Sequence, residues 1–288
     1  MKHISLLLLS ILIFSSCMAQ SGNDIYLLIR GDDIGSSHAS NVACIQSYKE
    51  GIMRSVEIMV PGPWFPEAVE MLKENQGLDV GVHLVLTSEW SNIKWRPLTW
   101  CPSLTDENGY FYPMIWQRDD FPKGTALHDA PWKIEEIEAE LRAQIEMAKK
   151  HLPNISHAGC HMGCGSCAPE IEAVINKLLK EYDIDISPRK FGVEGLRLWD
   201  RTDTTAAQRI RVAVEKLKSL KPGKYLFIDH PGLDTPEMQA IGHPGYEEVA
   251  RDRDAVTKVF TSPDVMEVIK QRGIKLISYA DLERLDLD

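Results

Sequence analysis

From residue 24 onward the chain alternates between two hydrophobic rhythms. Short apolar runs read as buried strands: "IYLLIR" (25–30), "SVEIMV" (55–60), "LDVGVHLVL" (78–86), "ISHAGCH" (155–161), "KYLFIDH" (224–230) and "IKLISY" (274–279). Between them lie stretches with a repeat of three and four. Ile134, Ile137, Leu141, Ile145 and Ala148 place one apolar stripe on a helix over 133–151. Glu135, Glu136, Glu138 and Glu140 sit near its start, and Lys149 and Lys150 near its end, the polarity that the helix dipole favours. A helix entered through Pro169 carries Ile171, Val174, Ile175, Leu178 and Leu179 on one face. Residues 203–220 repeat the pattern through Ile210, Val214 and Leu217. A further helix over 262–273 has Ser262 as its cap and Gly273 as its stop. This order predicts an α/β fold, (β/α) barrel-like with mostly parallel strands, in a single domain over 22–288.

Residues 87–132 break the rhythm. They contain Trp90, Trp95, Trp100, Trp116 and Trp132 with several prolines and no long periodic run. A stretch of this length is expected to be a functional loop inserted into the domain. Aromatic rings pack on the C–H faces of sugars, which makes this loop a candidate carbohydrate contact. The alternative is that the indoles pack the loop onto the barrel.

The first residues, "MKHISLLLLSILIFSSCMAQ", have a basic start, an apolar stretch from Ile4 to Phe14 and then small residues. This predicts a signal peptide over 1–19, too short to span a bilayer. A lipoprotein signal ending before Cys17, with a lipid anchor on that residue, is the alternative. Either reading predicts an exported protein, periplasmic or secreted.

Charge narrows the partners. Lys and Arg number 32 against 42 Asp and Glu, a formal net charge of -10, and no Lys/Arg run exceeds two. Such a chain has no basic surplus for a phosphate backbone, which argues against nucleic acid.

The candidate chemistry gathers at strand ends, where parallel α/β folds build their sites. Asp32 and Asp33 follow the first strand, His83 lies in the third, His157 and His161 in the fourth, and His230 closes "KYLFIDH". Asp, His and His suit one divalent cation, Mg or Zn, with positions left for water. A second carboxylate beside them could take a proton from that water. Chance offers no reason for such residues to fall at successive strand ends.

"HAGCHMGCGSCAPE" (157–170) adds Cys160, Cys164 and Cys167 to two histidines. Three readings are open: a structural zinc knot, a disulfide in an oxidising compartment, or small-residue packing beside an active-site His161.

These motifs together resemble the YdjC-like (chitooligosaccharide deacetylase) family, and through it the polysaccharide deacetylases. "DDIG", "GIMRS", "GPWFPEA" and "LDVGVHLVLT" occur in the family's order, followed by "PSLTDENGYF", "ISHAGCH", "DHPG" and "RGIKLISYADL". The resemblance implies a polysaccharide-deacetylase-like barrel and hydrolysis of an N-acetyl group on a sugar or oligosaccharide. It places Asp33, His83 and His161 on the metal ligands, Asp32 on the general base and His230 on a catalytic histidine. Trp95, Trp100 and His157 are the candidate substrate contacts. The chain departs from the family pattern at Gly159, where an Asp is usual, and at Gly163, where a second His is usual. Those departures keep two other functions in view: a metal-dependent hydrolase of an ester or phosphoester, and an exported sugar-binding protein without catalysis.

Overall fold

The computed structural model describes residues 23–286. The expected leader over 1–19 and the candidate lipidation site Cys17 lie outside the described residues. Among the described residues, no helix is long and apolar enough to cross a membrane.

Among the described residues seven strands form one sheet, and every pairing between them is parallel: β1 (Ile25–Ile34), β2 (Ser55–Ile58), β3 (Asp79–Leu84), β4 (Ile155–Cys160), β5 (Val193–Gly195), β6 (Gly223–Asp229) and β7 (Lys275–Ile277). The order is β4-β3-β2-β1-β6-β5, with β7 also on β1. β6 pairs with β1 from Ile25 to Gly31. On the other edge, β7 takes Tyr26–Leu28 and β2 takes Arg30–Ile34. Two strands sharing one edge of β1 curl the sheet into a partial barrel, with helices outside, as the alternating pattern predicts.

The two faces of β1 show how the chain divides its core. Ile25, Leu27 and Ile29 belong to the main apolar cluster, packed with the helices α1 (His38–Lys49), α2 (Phe65–Glu74), α3 (Ile134–His151), α4 (Pro169–Glu181), α5 (Ala206–Ser219), α6 (Pro236–Gln239), α7 (Val249–Phe260) and α8 (Pro263–Gln271). Each fully buried aliphatic side chain there contributes about 1.5–3 kcal/mol. Tyr26 and Leu28 face the other way, into a smaller cluster with Val193, Ile277, Tyr279 and Leu282. Tyr279 and Leu282 come from α9 (Tyr279–Asp286), a helix absent from the sequence expectation, which runs a strand on to 279. Ser278 ends that strand by donating its hydroxyl and backbone N–H to Asp281. On this inner face the β1 series continues upward as Arg30 and Asp32, so the interior turns from apolar to charged at one end.

Two irregularities shape that end. The pairing of β1 with β2 runs from Gly31↔Val56 to Ile34↔Ile58, one extra residue on β1. Consecutive strand residues normally point to opposite faces. Here the bulge, with Asp33 at a left-handed φ of 70°, breaks that alternation between Asp32 and Asp33. A second extra residue lies on β4 at Ser156, between Val80↔Ile155 and Gly81↔His157. It turns His157 and Gly159 inward.

The segment 87–132 is anchored rather than structureless. Short 3-10 turns at Pro102–Leu104 and Leu127–Asp129 and bridges Thr105↔Phe111 and Met114↔Ala126 fold it back on itself. Trp90, Trp95, Leu104, Phe111, Ile115 and Leu127 tie it into the main core.

Candidate metal and active site

Three ligand atoms converge at the carboxyl end of the barrel. Asp33 Oδ1 lies 3.5 Å from His83 Nε2 and 3.3 Å from His161 Nδ1, and all three side chains are buried. Asp33 Oδ1 and His161 Nδ1 are enclosed without a hydrogen-bond partner, being close but not aligned as donor and acceptor. Buried polar atoms rarely go unpaired, so this pair points to an ion. The donor set of one carboxylate and two imidazoles fits a divalent cation with open coordination positions.

The outer atoms of these three side chains are all engaged. His83 Nδ1 is 2.5 Å from Glu57 Oε2, and His161 Nε2 is 2.9 Å from Glu89 Oε2. Arg253 of α7 donates to the second Asp33 oxygen at 2.7 Å and lies over the Trp90 ring. Carboxylates on the far nitrogens fix ring orientation and tautomer, as they do for metal-bound histidines generally. A second group, Asp32, Glu57 and His83, also has ligand atoms close together, but its two carboxylates are already held by Arg30. The first group therefore fits an ion better.

Asp32 sits beside this group without joining it. Arg30 grips both its oxygens, Nε at 2.7 Å and Nη2 at 2.9 Å, and its Oδ2 is 3.9 Å from His83 Nε2. Burial pushes the Asp32 pKa up, but Arg30, His83 and His230 outweigh it, so the carboxyl stays ionised. Asp33 is held well below the usual range, because Arg253, His230 and His161 overcome a larger burial effect. For His161, burial disfavours the charge, yet Glu89 and Asp33 raise its pKa to about 10.

His230 follows β6. The register Gly31↔Asp229 places it next to Asp32 across the strand pair. Asp229 accepts its backbone N–H at 2.8 Å and lies 3.5 Å from its ring. The ring is partly open, with 41% of the side chain exposed. Burial lowers its pKa, but Asp33, Asp229 and Asp32 raise it further, so the net shift is upward.

Two expected substrate contacts need correction. His157 is fully buried: its ring stacks on Tyr279 at 3.7 Å, its Nδ1 meets Ser156 Oγ at 2.7 Å, and its Nε2 faces Glu57 at 3.7 Å. Burial, Arg30 and His83 hold it neutral. It braces the floor of the site and has no face for a sugar. Trp95 is 2% exposed, donates its indole N–H to the Thr87 carbonyl and packs edge-on to His161. It is a wall behind His161. Trp100 is 90% exposed.

The thiols are free: Cys164 and Cys167 are buried and Cys160 is half-buried. Among the described residues no cysteine joins a group of three ligand-type side chains. Sequence reasoning missed Arg30, Glu57, Glu89 and Arg253. Glu57 alone carried a signal, an acid inside the apolar run "SVEIMV".

A cleft of about 780 Å³ opens at the carboxyl ends of β5 and β6, lined by Trp199, Arg201, Phe227, Asp229, Tyr246 and Arg251 among others. Asp229 connects it to His230. A separate cleft of about 510 Å³ lies at the opposite end of the sheet, by Arg54, Asp79 and Asn154, and includes none of the site residues.

The profile of the YdjC-like proteins matches residues 26–271. "Carbohydrate deacetylase 1" of Listeria innocua serovar 6a is 30% identical over 270 residues, covering 89% of this chain and 99% of its own. A "Carbohydrate deacetylase" of Thermus thermophilus is 31% identical over 241 residues, covering 75% of this chain and 80% of its own. A crystal structure from Enterococcus faecalis V583, described as a cellobiose-phosphate cleavage protein, superposes with a TM-score of 0.70 at 23% identity, over 90% of this chain and 99% of that one. It shares the fold. With a profile match across most of its length and relatives aligned nearly end to end, this chain belongs to the YdjC-like protein family.

Proposed function

We propose that this protein hydrolyses the N-acetyl group of a carbohydrate, with one divalent cation, Mg or Zn, held by Asp33, His83 and His161. The observation that carries the reading is the convergence of Asp33 Oδ1, His161 Nδ1 and His83 Nε2, the first two buried without hydrogen-bond partners. The relatives named carbohydrate deacetylases support the substrate class.

An ion bound there supplies a Lewis acid that polarises the amide carbonyl and acidifies water. Asp32 accepts the proton of the attacking water, and Arg30 keeps that carboxylate ionised and aimed. As the C–O bond forms and the C–N bond breaks, His230 gives a proton to the departing amine nitrogen. Its partly open ring, 3.5 Å from Asp229, suits that task. The products are acetate and the free amino sugar. The cleft beside Asp229 receives the sugar that bears the acetamide, and its paired charges and aromatic rings match a hydroxyl-rich ligand. The reading includes export, on the strength of the apolar stretch Ile4–Phe14.

Acetate release from N-acetylated sugars, set against acetyl esters and phosphomonoesters, tests this reading. Turnover of N-acetyl sugars at least tenfold above both other classes is expected. Preference for either ester class would replace it.

The loop separates packing from recognition. Trp95→Ala should cost about 3–5 kcal/mol of stability, as for other buried aromatic truncations, and lower Tm. Trp100→Ala should leave Tm unchanged and raise KM for an oligosaccharide, with less effect on a monosaccharide. A Trp100→Ala variant with altered Tm and unchanged KM would remove this loop from substrate binding.

A further inference from the structure

We infer that Glu57 and Gly159 form an exchanged pair, in which the carboxylate that positions His83 projects from β2 into room that glycine leaves on β4. Gly159 is directly opposite His83 in the β3–β4 register. A Cβ on Gly159 would lie 2.4 Å from both Glu57 carboxylate oxygens, so a side chain there requires the carboxylate to leave its place. The row below shows the same device: a Cβ on Gly81 would strike the His157 ring at 2.5 Å. Two glycines thus hollow the inner face, one for a carboxylate and one for an imidazole.

Glu57 fills that hollow between an imidazole and a guanidinium, its Oε1 ion-paired but without an aligned hydrogen bond. It is completely buried, places Oε2 at 2.5 Å from His83 Nδ1, and places Oε1 at 2.5 Å from Arg30 Nη1. Arg30 passes the contact on to Asp32 and to the Tyr279 hydroxyl. An acid inside a strand carries a desolvation cost that such pairing offsets. The pairing gives His83 Nδ1 an acceptor and turns Nε2 toward Asp33. Glu57 is therefore a positioning residue that acts through His83. The departure at Gly159 follows from it: a carboxylate on β4 and Glu57 would compete for one space. A reader of the sequence sees a lost acid at 159, whereas the fold keeps an acid there, supplied from two strands away.

The inference rests on His83 being a ligand, so its test has an arm that needs no metal. In metal-free protein, nitrogen NMR of the His83 ring should report Nδ1 protonated in the wild type. Glu57→Ala, which removes the acceptor, should lose that fixed tautomer and bind Zn²⁺ about 10- to 100-fold more weakly, the usual effect of removing such a partner. Glu57→Ala combined with Gly159→Asp returns a carboxylate from β4 and should recover at least half of the lost affinity on the logarithmic scale. Gly159→Asp alone should bind Zn²⁺ more weakly than wild type. An unchanged His83 tautomer in Glu57→Ala, or a double variant no better than Glu57→Ala in Zn²⁺ affinity, overturns the exchange. Failure of the wild type to bind Zn²⁺ while the tautomer responds as described would overturn the ligand assignment and leave the exchange standing.

Discussion

Asp32→Asn is expected to leave a folded protein that takes up its ion and turns over about 10²–10⁴-fold more slowly. That range is what a positioned general base contributes. The amide keeps the shape of the carboxylate and one oxygen for Arg30, but it cannot accept the proton of water. Arg30 retains Glu57 and Tyr279 as partners, so the buried guanidinium is not left unpaired. The loss should therefore fall on kcat, with Zn²⁺ affinity within a few-fold of wild type. Rates near wild type would remove Asp32 from the reaction. A parallel loss of Zn²⁺ binding would show instead that Asp32 is a ligand, as the second cluster with Glu57 and His83 would have it.

His83→Ala and His161→Ala should each weaken Zn²⁺ binding by more than about 10²-fold, beyond the effect of losing an outer partner. Both rings are buried, so each deletion also opens a small cavity and takes the imidazole partner from a carboxylate, Glu57 in one case and Glu89 in the other. Some loss of Tm is expected with both. Circular dichroism on the metal-free variants separates that loss from the binding defect. Full stoichiometric metal in either folded variant would contradict its place in the ligand set.

The chemistry-bearing strand ends were legible because strands are local and their ends are marked. Asp32, Asp33, His83 and His230 terminate or interrupt apolar runs, and a parallel sheet brings such ends together. What could not be read is what fills the space between them. Glu57 was visible as a charge in an apolar strand, but its partners lie 26 residues away on β3 and 27 residues away on β1. Helix α7 escaped notice because two of its inward positions are polar: Arg253 reaches Asp33 and Thr257 bonds Gly232. The residues that serve the site erased the stripe that marks the helix. Glu89 follows β3 where the chain has left the sheet, and no periodicity predicts its return to His161.

His157 was misread for a related reason. Its period of two with Gly159 holds, and both face inward. His161 lies beyond the last strand residue, Cys160, so the three do not stand at one depth. Tryptophan content could not separate anchors from exposed rings either. Trp90 and Trp95 are sealed in the core, whereas Trp100 and Trp116 are open to solvent.

The central claim is that one ion in the Asp33–His83–His161 group enables amide hydrolysis on a sugar. Its most direct test is a titration of metal-free protein with Zn²⁺ or Mg²⁺, following bound metal and acetate release from an N-acetylated oligosaccharide in the same samples. The account predicts that acetate release is absent without metal, rises in proportion to bound ion and saturates at one per chain. Acetate release at full rate from metal-free protein, or none with one ion bound across a panel of N-acetyl sugars, would contradict it.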